Sequence, residues 1–461
     1  MKQIQLTILA LLLVVNNALG HPRYKFRVRF TDKSKTEYSL DKPQEYLSER
    51  ALDRRNRQGI EIDSTDLPVC SEYVKIIASE KGVKPLLTSK WNNTLVIETD
   101  DSLVCKRLLR HPFVKEVKKV YIDNPEAYFP RSEDRKKVVK NELHKTECIY
   151  GVGEAQIRLH NGDSLHAAGY RGQGMHVAII DAGFYNADVV KLLKGATVLG
   201  TRDFVDPESD IYAEHDHGLK VFSCMAANKE HIMIGTAPEA SYWLLRSEDN
   251  DTENLVEEDY WAAAIEFADS VGVDVVNSSL GYYNFDDCSD NYCYHDLDGK
   301  TSLMSLSAAK AVEKGMLVVV SAGNSGMDSW KKITPPADAF GVIAVGAVDS
   351  QGMNTSFSSI GNTYDGRTKP DVMSLGEKVS VAYDDGCLIH CNGTSFSSPI
   401  FCGLAACLWQ ACPRLTVLEL IDLIHESGNN AEYPDNINGY GIPDVWKAYK
   451  LTDVGNYAQE D

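Results

Sequence analysis

Asp181, His217, Asn324 and Ser395 are residues of the types that together cleave an acyl bond, and each stands where the pattern predicts a strand end or a helix start. Ser395 lies in Asn392-Gly393-Thr394-Ser395-Phe396-Ser397-Ser398-Pro399, ahead of an apolar run over 400–409 that reads as a buried helix. The free amides and positive dipole end of a helix N-terminus favour developing negative charge, which suits a nucleophile whose attack creates an oxyanion. An N-cap serine would look the same, so Ser395 gains meaning only from its partners. Asp181 follows Val177-Ala178-Ile179-Ile180, and a carboxylate at the end of a buried strand is costly unless paired. His217, beside Gly218 at the opening of a helical segment, is a fitting partner. In a hydrolytic triad the aspartate fixes the imidazole tautomer, the imidazole takes the serine proton and the serine attacks a carbonyl. Asn324, after Ser321-Ala322-Gly323, is an uncharged donor that would complete an oxyanion hole with the Ser395 backbone N–H. Turn and cap roles account for each residue singly but poorly for all of them together. His215-Asp216-His217 is also a two-histidine metal pattern, but it lacks a third ligand, and no metal site is assigned.

From about Gly151 onward, apolar runs suited to strands covered on both faces (175–180, 273–277, 316–320 and 341–348) alternate with helical segments (217–227, 255–270 and 301–314). This is the pattern of an α/β fold with a parallel sheet, in which functional groups collect at the carboxyl ends of the strands. Ser279-Leu280-Gly281 stands at another such end. Gly172-Gln173-Gly174 precedes its strand, the reverse of a dinucleotide fingerprint. The front of the chain reads differently. Alternation over 24–30 predicts a strand; a helix over 43–57 closed by Gly59, strands over 73–78 and 94–98, a helix over 101–110 and a strand over 114–122 complete a βαββαβ, ferredoxin-like plan. Pro125, Pro130 and a charged stretch mark residues 124–148 as a linker.

In residues 1–20, Lys2, a short apolar run and Ala18-Leu19-Gly20 read as a signal peptide too short to span a bilayer, so the mature protein is expected to be exported, periplasmic or extracellular. The net charge of −19 is unevenly distributed: residues 21–140 hold 26 lysines and arginines against 19 aspartates and glutamates, so the excess acid lies behind them. A basic front and an acidic back predict two domains that attract each other. Positive charge so thoroughly mixed with carboxylates fits nucleic-acid binding poorly. Eleven cysteines in an exported chain permit disulfides, and Cys288 with Cys293 and Cys387 with Cys391 are close enough in sequence to bridge. No Cys-x-x-Cys supports a zinc or thioredoxin-like reading, and Cys402 and Cys407 read as core residues.

With these residues in place, the chain resembles the subtilisin-like serine peptidases. Val177-Ala178-Ile179-Ile180-Asp181-Ala182-Gly183 is similar to the family's aspartate motif, His217-Gly218-Leu219-Lys220-Val221 to its histidine motif, and Gly393-Thr394-Ser395-Phe396-Ser397-Ser398-Pro399 to its serine motif. Ser321-Ala322-Gly323-Asn324-Ser325-Gly326 resembles the oxyanion segment, and the order Asp, His, Ser agrees. The resemblance covers about residues 150–449. It implies a secreted serine endopeptidase with a three-layer subtilisin-like fold, made as signal peptide (1–20), propeptide-like domain (21–123), linker with processing site (124–148) and catalytic domain (149–461). It also implies that Ser279, Leu280 and Gly281 form an edge that pairs with extended substrate. The partners implied are protein or peptide substrates and the chain's own propeptide, with no nucleic acid and no membrane once the signal is removed. No cofactor is required. The loop over 282–299, with Cys288, Cys293 and its aspartates, reads as an insertion, either a solvated acidic loop or a structural calcium site. Three departures, Ala182, Leu219-Lys220 and Phe396, leave the triad intact but keep open an alternative: a catalytically idle binding protein on the same scaffold.

Overall fold

The computed structural model describes residues 23–123 and 143–457. The signal peptide and most of the linker read from the sequence lie outside the described residues. In the front unit, β1 (Tyr24–Phe30), α1 (Glu49–Gln58), α2 (Ser71–Ala78), β2 (Lys84–Ser89), β3 (Thr94–Thr99), α3 (Val104–Leu108) and β4 (Val114–Ile122) follow one another. The strands make an antiparallel sheet in the order β2-β3-β1-β4.

Two expectations are corrected here. Residues 73–78, expected as a strand, are in helix α2. Their Val-Ile-Ile composition suggested a strand, but Tyr73 and Ile77 are buried four residues apart, one helical turn. The missing strand is β2, whose Pro85 is tolerated because β2 is an edge strand. The helix expected over 43–57 is a short 3-10 turn, Pro43–Glu45, followed by α1, which Ser48 caps by accepting from Ala51 N at 3.2 Å. No disulfide joins Cys288 to Cys293 or Cys387 to Cys391, nor any other pair of cysteines.

The second unit is a seven-stranded sheet. Its strands are β5 (His176–Asp181), β6 (Thr197–Asp203), β7 (Ser241–Arg246), β8 (Val275–Ser278), β9 (Leu317–Ser321), β10 (Ile343–Val348) and β11 (Val372–Leu375). They lie in the order β11-β10-β9-β8-β5-β7-β6, and every ladder is parallel. After β5 the chain runs to one edge and returns across β5 to β8, so the strand order reverses between β5 and β8. In open α/β sheets ligands bind at that crevice, outside the carboxyl ends of the strands. Of the main helices, α4 (His217–Ala226) contacts α7 (Thr394–Ala411), which lies along β8 to β11, and α5 (Glu257–Ser270) contacts α6 (Leu303–Glu313).

The front unit sits on α5, and buried charge joins the two. Arg27 of β1 grips Asp259, in the first turn of α5, through two hydrogen bonds of 2.7 Å. Glu266 of α5 accepts from Ser89 Oγ, Lys90 N and Trp91 N at 2.5, 2.6 and 3.1 Å, closing the β2–β3 turn. Asp269, near the end of α5, is fully buried and paired with Arg54 at 2.5 Å, Arg55 at 2.9 Å and Lys90 at 3.0 Å. Arg54 also donates to the Lys314 carbonyl at the end of α6 and to the Val273 carbonyl, supplying positive charge where the helix dipole is negative. The attraction expected between a basic front and an acidic back is thus built into specific pairs. Removing one partner of a buried ion cluster leaves the others uncompensated. Asp269→Ala is therefore expected to lower unfolding stability by about 3–5 kcal/mol, read by urea denaturation of the full chain; a loss under about 1 kcal/mol would mean that the cluster does not hold the units together.

Candidate active site

The site grows from strand ends and helix starts at the crevice. β5 ends on Asp181, and the backbone of the next turn meets the start of α4: Gly218 N donates to Gly183 O at 2.9 Å, and a Cβ at Gly218 would lie 2.3 Å from that carbonyl. Only glycine permits this approach, which places His217 Nδ1 2.7 Å from Asp181 Oδ1. Asp181 Oδ1 also accepts from Ala182 N at 2.8 Å. Among the described residues Asp181 Oδ2 is buried without a hydrogen-bond partner; the adjacent Ala182 carries no hydroxyl that could donate to it. Burial alone would lower the His217 pKa, but the charge of Asp181 and the hydrogen bond to it outweigh burial and hold it above the ordinary value.

Ser395 is the second residue of α7. Gly393, just before the helix, has φ 149° and ψ 150°, a conformation essentially restricted to glycine. Asn324 lies beyond the end of β9. Its Oδ1 accepts from Thr394 N at 2.8 Å and Thr394 Oγ1 at 3.0 Å. Because a backbone N–H can only donate, this orients the amide and leaves Nδ2 as the free donor. Ser279, after β8, is tied to the serine helix from the other side. Asn277 accepts from Ser398 Oγ at 2.8 Å and donates to Ser279 Oγ at 3.1 Å, and Ser279 Oγ donates to the Ser395 carbonyl at 2.9 Å.

His217, Asn324, Ser395, Ser279, Leu280 and Gly281 line one cleft of about 300 Å³, and Asp181 lies buried behind His217. All seven candidate residues are therefore gathered at one place. Ser395 Oγ donates to the Ser279 carbonyl at 3.4 Å.

The sequence reading missed Thr394, Asn277 and Ser398, which hold the site together, and Glu248 and Glu253, which line the cleft. The glutamates follow the carboxyl end of β7, and extending the strand-end rule to that strand would have found them. In the loop over 282–299 the carboxylates have protein donors: Asp287 pairs with Lys119 at 3.0 Å and Asp290 with Lys118 at 3.3 Å, while Asp296 and Asp298 accept backbone amides. No group of three or more metal-ligand side chains occurs among the described residues, and a calcium ion bound at Asp287 or Asp290 would have to displace Lys119 or Lys118.

A parallel α/β sheet whose crevice gathers an Asp–His pair, a helix-start serine and an amide donor has the build of a serine peptidase. Residues 172–441 match the model of the subtilase family, and residues 25–140 match that of the peptidase S8 propeptide domain, Bacteroidota. The chain belongs to the subtilase family and carries its propeptide domain. Among curated relatives, subtilisin DY of Bacillus licheniformis is 32% identical over 279 residues, covering 59% of this chain and 90% of the relative. Subtilisin NAT of Bacillus subtilis subsp. natto is 29% identical over 371 residues, covering 80% and 83%. The crystal structure of the epidermin leader peptide processing serine protease of Staphylococcus aureus shares the fold, with a TM-score of 0.63 at 16% identity over 94% of this chain and 99% of that one.

Proposed function

We propose that the protein is a secreted serine endopeptidase that hydrolyses peptide bonds through an acyl-enzyme on Ser395 and is made as a propeptide-inhibited precursor. The observation that carries this reading is the 2.7 Å Asp181–His217 hydrogen bond opening onto a cleft shared with Ser395 and Asn324. In the first step Ser395 Oγ attacks the scissile carbonyl and its proton passes to His217 Nε2. Asp181 keeps Nδ1 protonated and stabilises the imidazolium. The oxyanion is held by Asn324 Nδ2 and the Ser395 N–H. The imidazolium then protonates the leaving amine, and a water activated by the same imidazole releases the acid. Ser279, Leu280 and Gly281 offer an edge for extended substrate.

The organisation proposed with it is a signal peptide over 1–20, a propeptide domain over 21–123, a processed linker over 124–148 and a catalytic domain over 149–461. The propeptide would act as an intramolecular inhibitor after export. Calcium is at most structural. One second reading has specific observations behind it: the Asp181 Oδ2 without a partner among the described residues and the Ser395 hydroxyl given to the Ser279 carbonyl suit an idle binding protein.

The oxyanion role is tested by Asn324→Ala, expected to lower turnover by about 10²–10³-fold with little change in KM, the size of effect established for the corresponding donor in subtilisin. Because Asn324 Oδ1 also holds Thr394, Asn324→Asp serves as a companion that keeps the acceptor and loses the donor; it should be at least as impaired. Full turnover in both variants would remove Asn324 from the mechanism.

A further inference from the structure

We propose that Glu248 and Glu253 determine specificity in this cleft, selecting peptides with a lysine or arginine among the residues that precede the scissile bond. The inference rests on the peptidase reading above and adds the substrate class. Both glutamates line the same cleft as His217, Ser395, Leu280 and Gly281, and both lie near Tyr282, the residue after that edge. The edge would pair with the substrate chain ahead of the scissile bond, so we assign a side chain reaching the glutamates to that part of the peptide.

Among the described residues neither carboxylate forms a salt bridge; His217 and Arg246 act on Glu248 through space, but burial outweighs them. Among the described residues, no lysine or arginine lines the cleft. The nearby cations are committed elsewhere: Arg246 to Asp203 at 2.9 Å, Lys220 to Asp216 at 2.9 Å, Lys119 to Asp287 and Lys118 to Asp290. Neighbouring acids are likewise occupied. Glu257 accepts from Tyr282 OH at 3.1 Å and Asn254 N at 3.1 Å, and Asp286 accepts from Glu253 N at 3.1 Å. Burial pushes the carboxyl of Glu248 up to about 7 and that of Glu253 up to about 8; Glu248 and Asp286 add to the burial effect at Glu253. Enclosed carboxylates without a counter-charge are costly to keep ionised, and a cationic side chain arriving with the substrate offsets that cost. A selective cleft needs the attractive group and a penalty for the wrong ligand, and uncompensated acids supply both, since they repel acidic peptides.

The test uses the full-length protein, incubated until its activity is constant, and matched quenched peptides that differ only in carrying Lys or Arg, a neutral residue, or Glu before the scissile bond. A further peptide carries the chain's own residues 129–142, which include Arg131, Arg135, Lys136, Lys137 and Lys140. Wild type should favour the basic peptides in kcat/KM. Glu248→Gln and Glu253→Gln should each reduce the basic-over-neutral ratio by about tenfold or more, and Glu253→Gln should leave turnover of the neutral peptide near wild type. Glu253→Lys should turn the preference toward the acidic peptide, and it provides a second reading should Glu248→Gln also disturb His217. An unchanged ratio in every variant overturns the proposal, as does an equal loss on all peptides, which would mean that Glu248 serves the imidazole. If wild type cleaves no peptide at all, the peptidase reading falls first, an outcome distinct from cleavage without discrimination.

Discussion

Ser395→Ala is expected to lower turnover by about 10⁶-fold, the size of effect established for the serine of subtilisin, and to abolish labelling by a fluorophosphonate. The fold should tolerate the change. Alanine is the best helix former, the side-chain bond lost is the 3.4 Å contact to the Ser279 carbonyl, and the 2.9 Å bond from Ser279 Oγ to the Ser395 carbonyl involves backbone and remains. Loss of activity with an unchanged melting temperature would thus identify the nucleophile and not a damaged helix. If maturation is autocatalytic, the same variant accumulates full-length precursor. Labelling that survives in Ser395→Ala would place the nucleophile elsewhere. Wild type that resists the reagent once its front domain has been removed would favour the idle binding protein.

Asp181→Asn is expected to cost about 10⁴-fold in kcat and to move the pH profile. His217 acts as base only when neutral, so activity is lost as the pH falls through its pKa. Asp181 holds that pKa above the ordinary value of 6.5 against the opposing effect of burial, so the acid limb of kcat/KM in wild type should lie above pH 6.5. With the charge removed, burial, the largest effect, is opposed chiefly by the smaller effect of Glu248, and the limb should shift to lower pH. An asparagine amide can also donate to Nδ1, selecting the tautomer whose Nε2 carries the proton and cannot accept one from Ser395. A variant with reduced rate but an unmoved acid limb would show that Asp181 is not the group that sets the histidine's pKa.

Much of this site was legible because its residues sit where local rules are strong. Asp181 ends a continuous apolar run, His217 and Ser395 open helices, and Asn324 follows a strand and a glycine turn; such positions depend on near neighbours in sequence. Reading failed where two local signals competed. Residues 73–78 are β-branched enough to suggest a strand, yet tertiary burial of Tyr73 and Ile77 on one face selects the helix. The proximity of Cys387 to Cys391 in sequence says nothing about where their thiols point, and they are not bonded.

The linear chain therefore already specified the family, the order of the candidate catalytic residues and the opposite charge of the two units, because motifs, hydrophobic period and composition are properties of neighbouring residues. Tertiary structure decided the rest. It set the 2.7 Å contact between residues 36 positions apart, turned the Asn324 amide so that Nδ2 is left to donate, and matched Arg54, Arg55 and Lys90 to one buried aspartate. It also brought Glu248 and Glu253 to the cleft with no salt-bridge partner among the described residues. These depend on which loops converge at the crevice between β5 and β8, and loop paths carry no periodicity that a sequence could display.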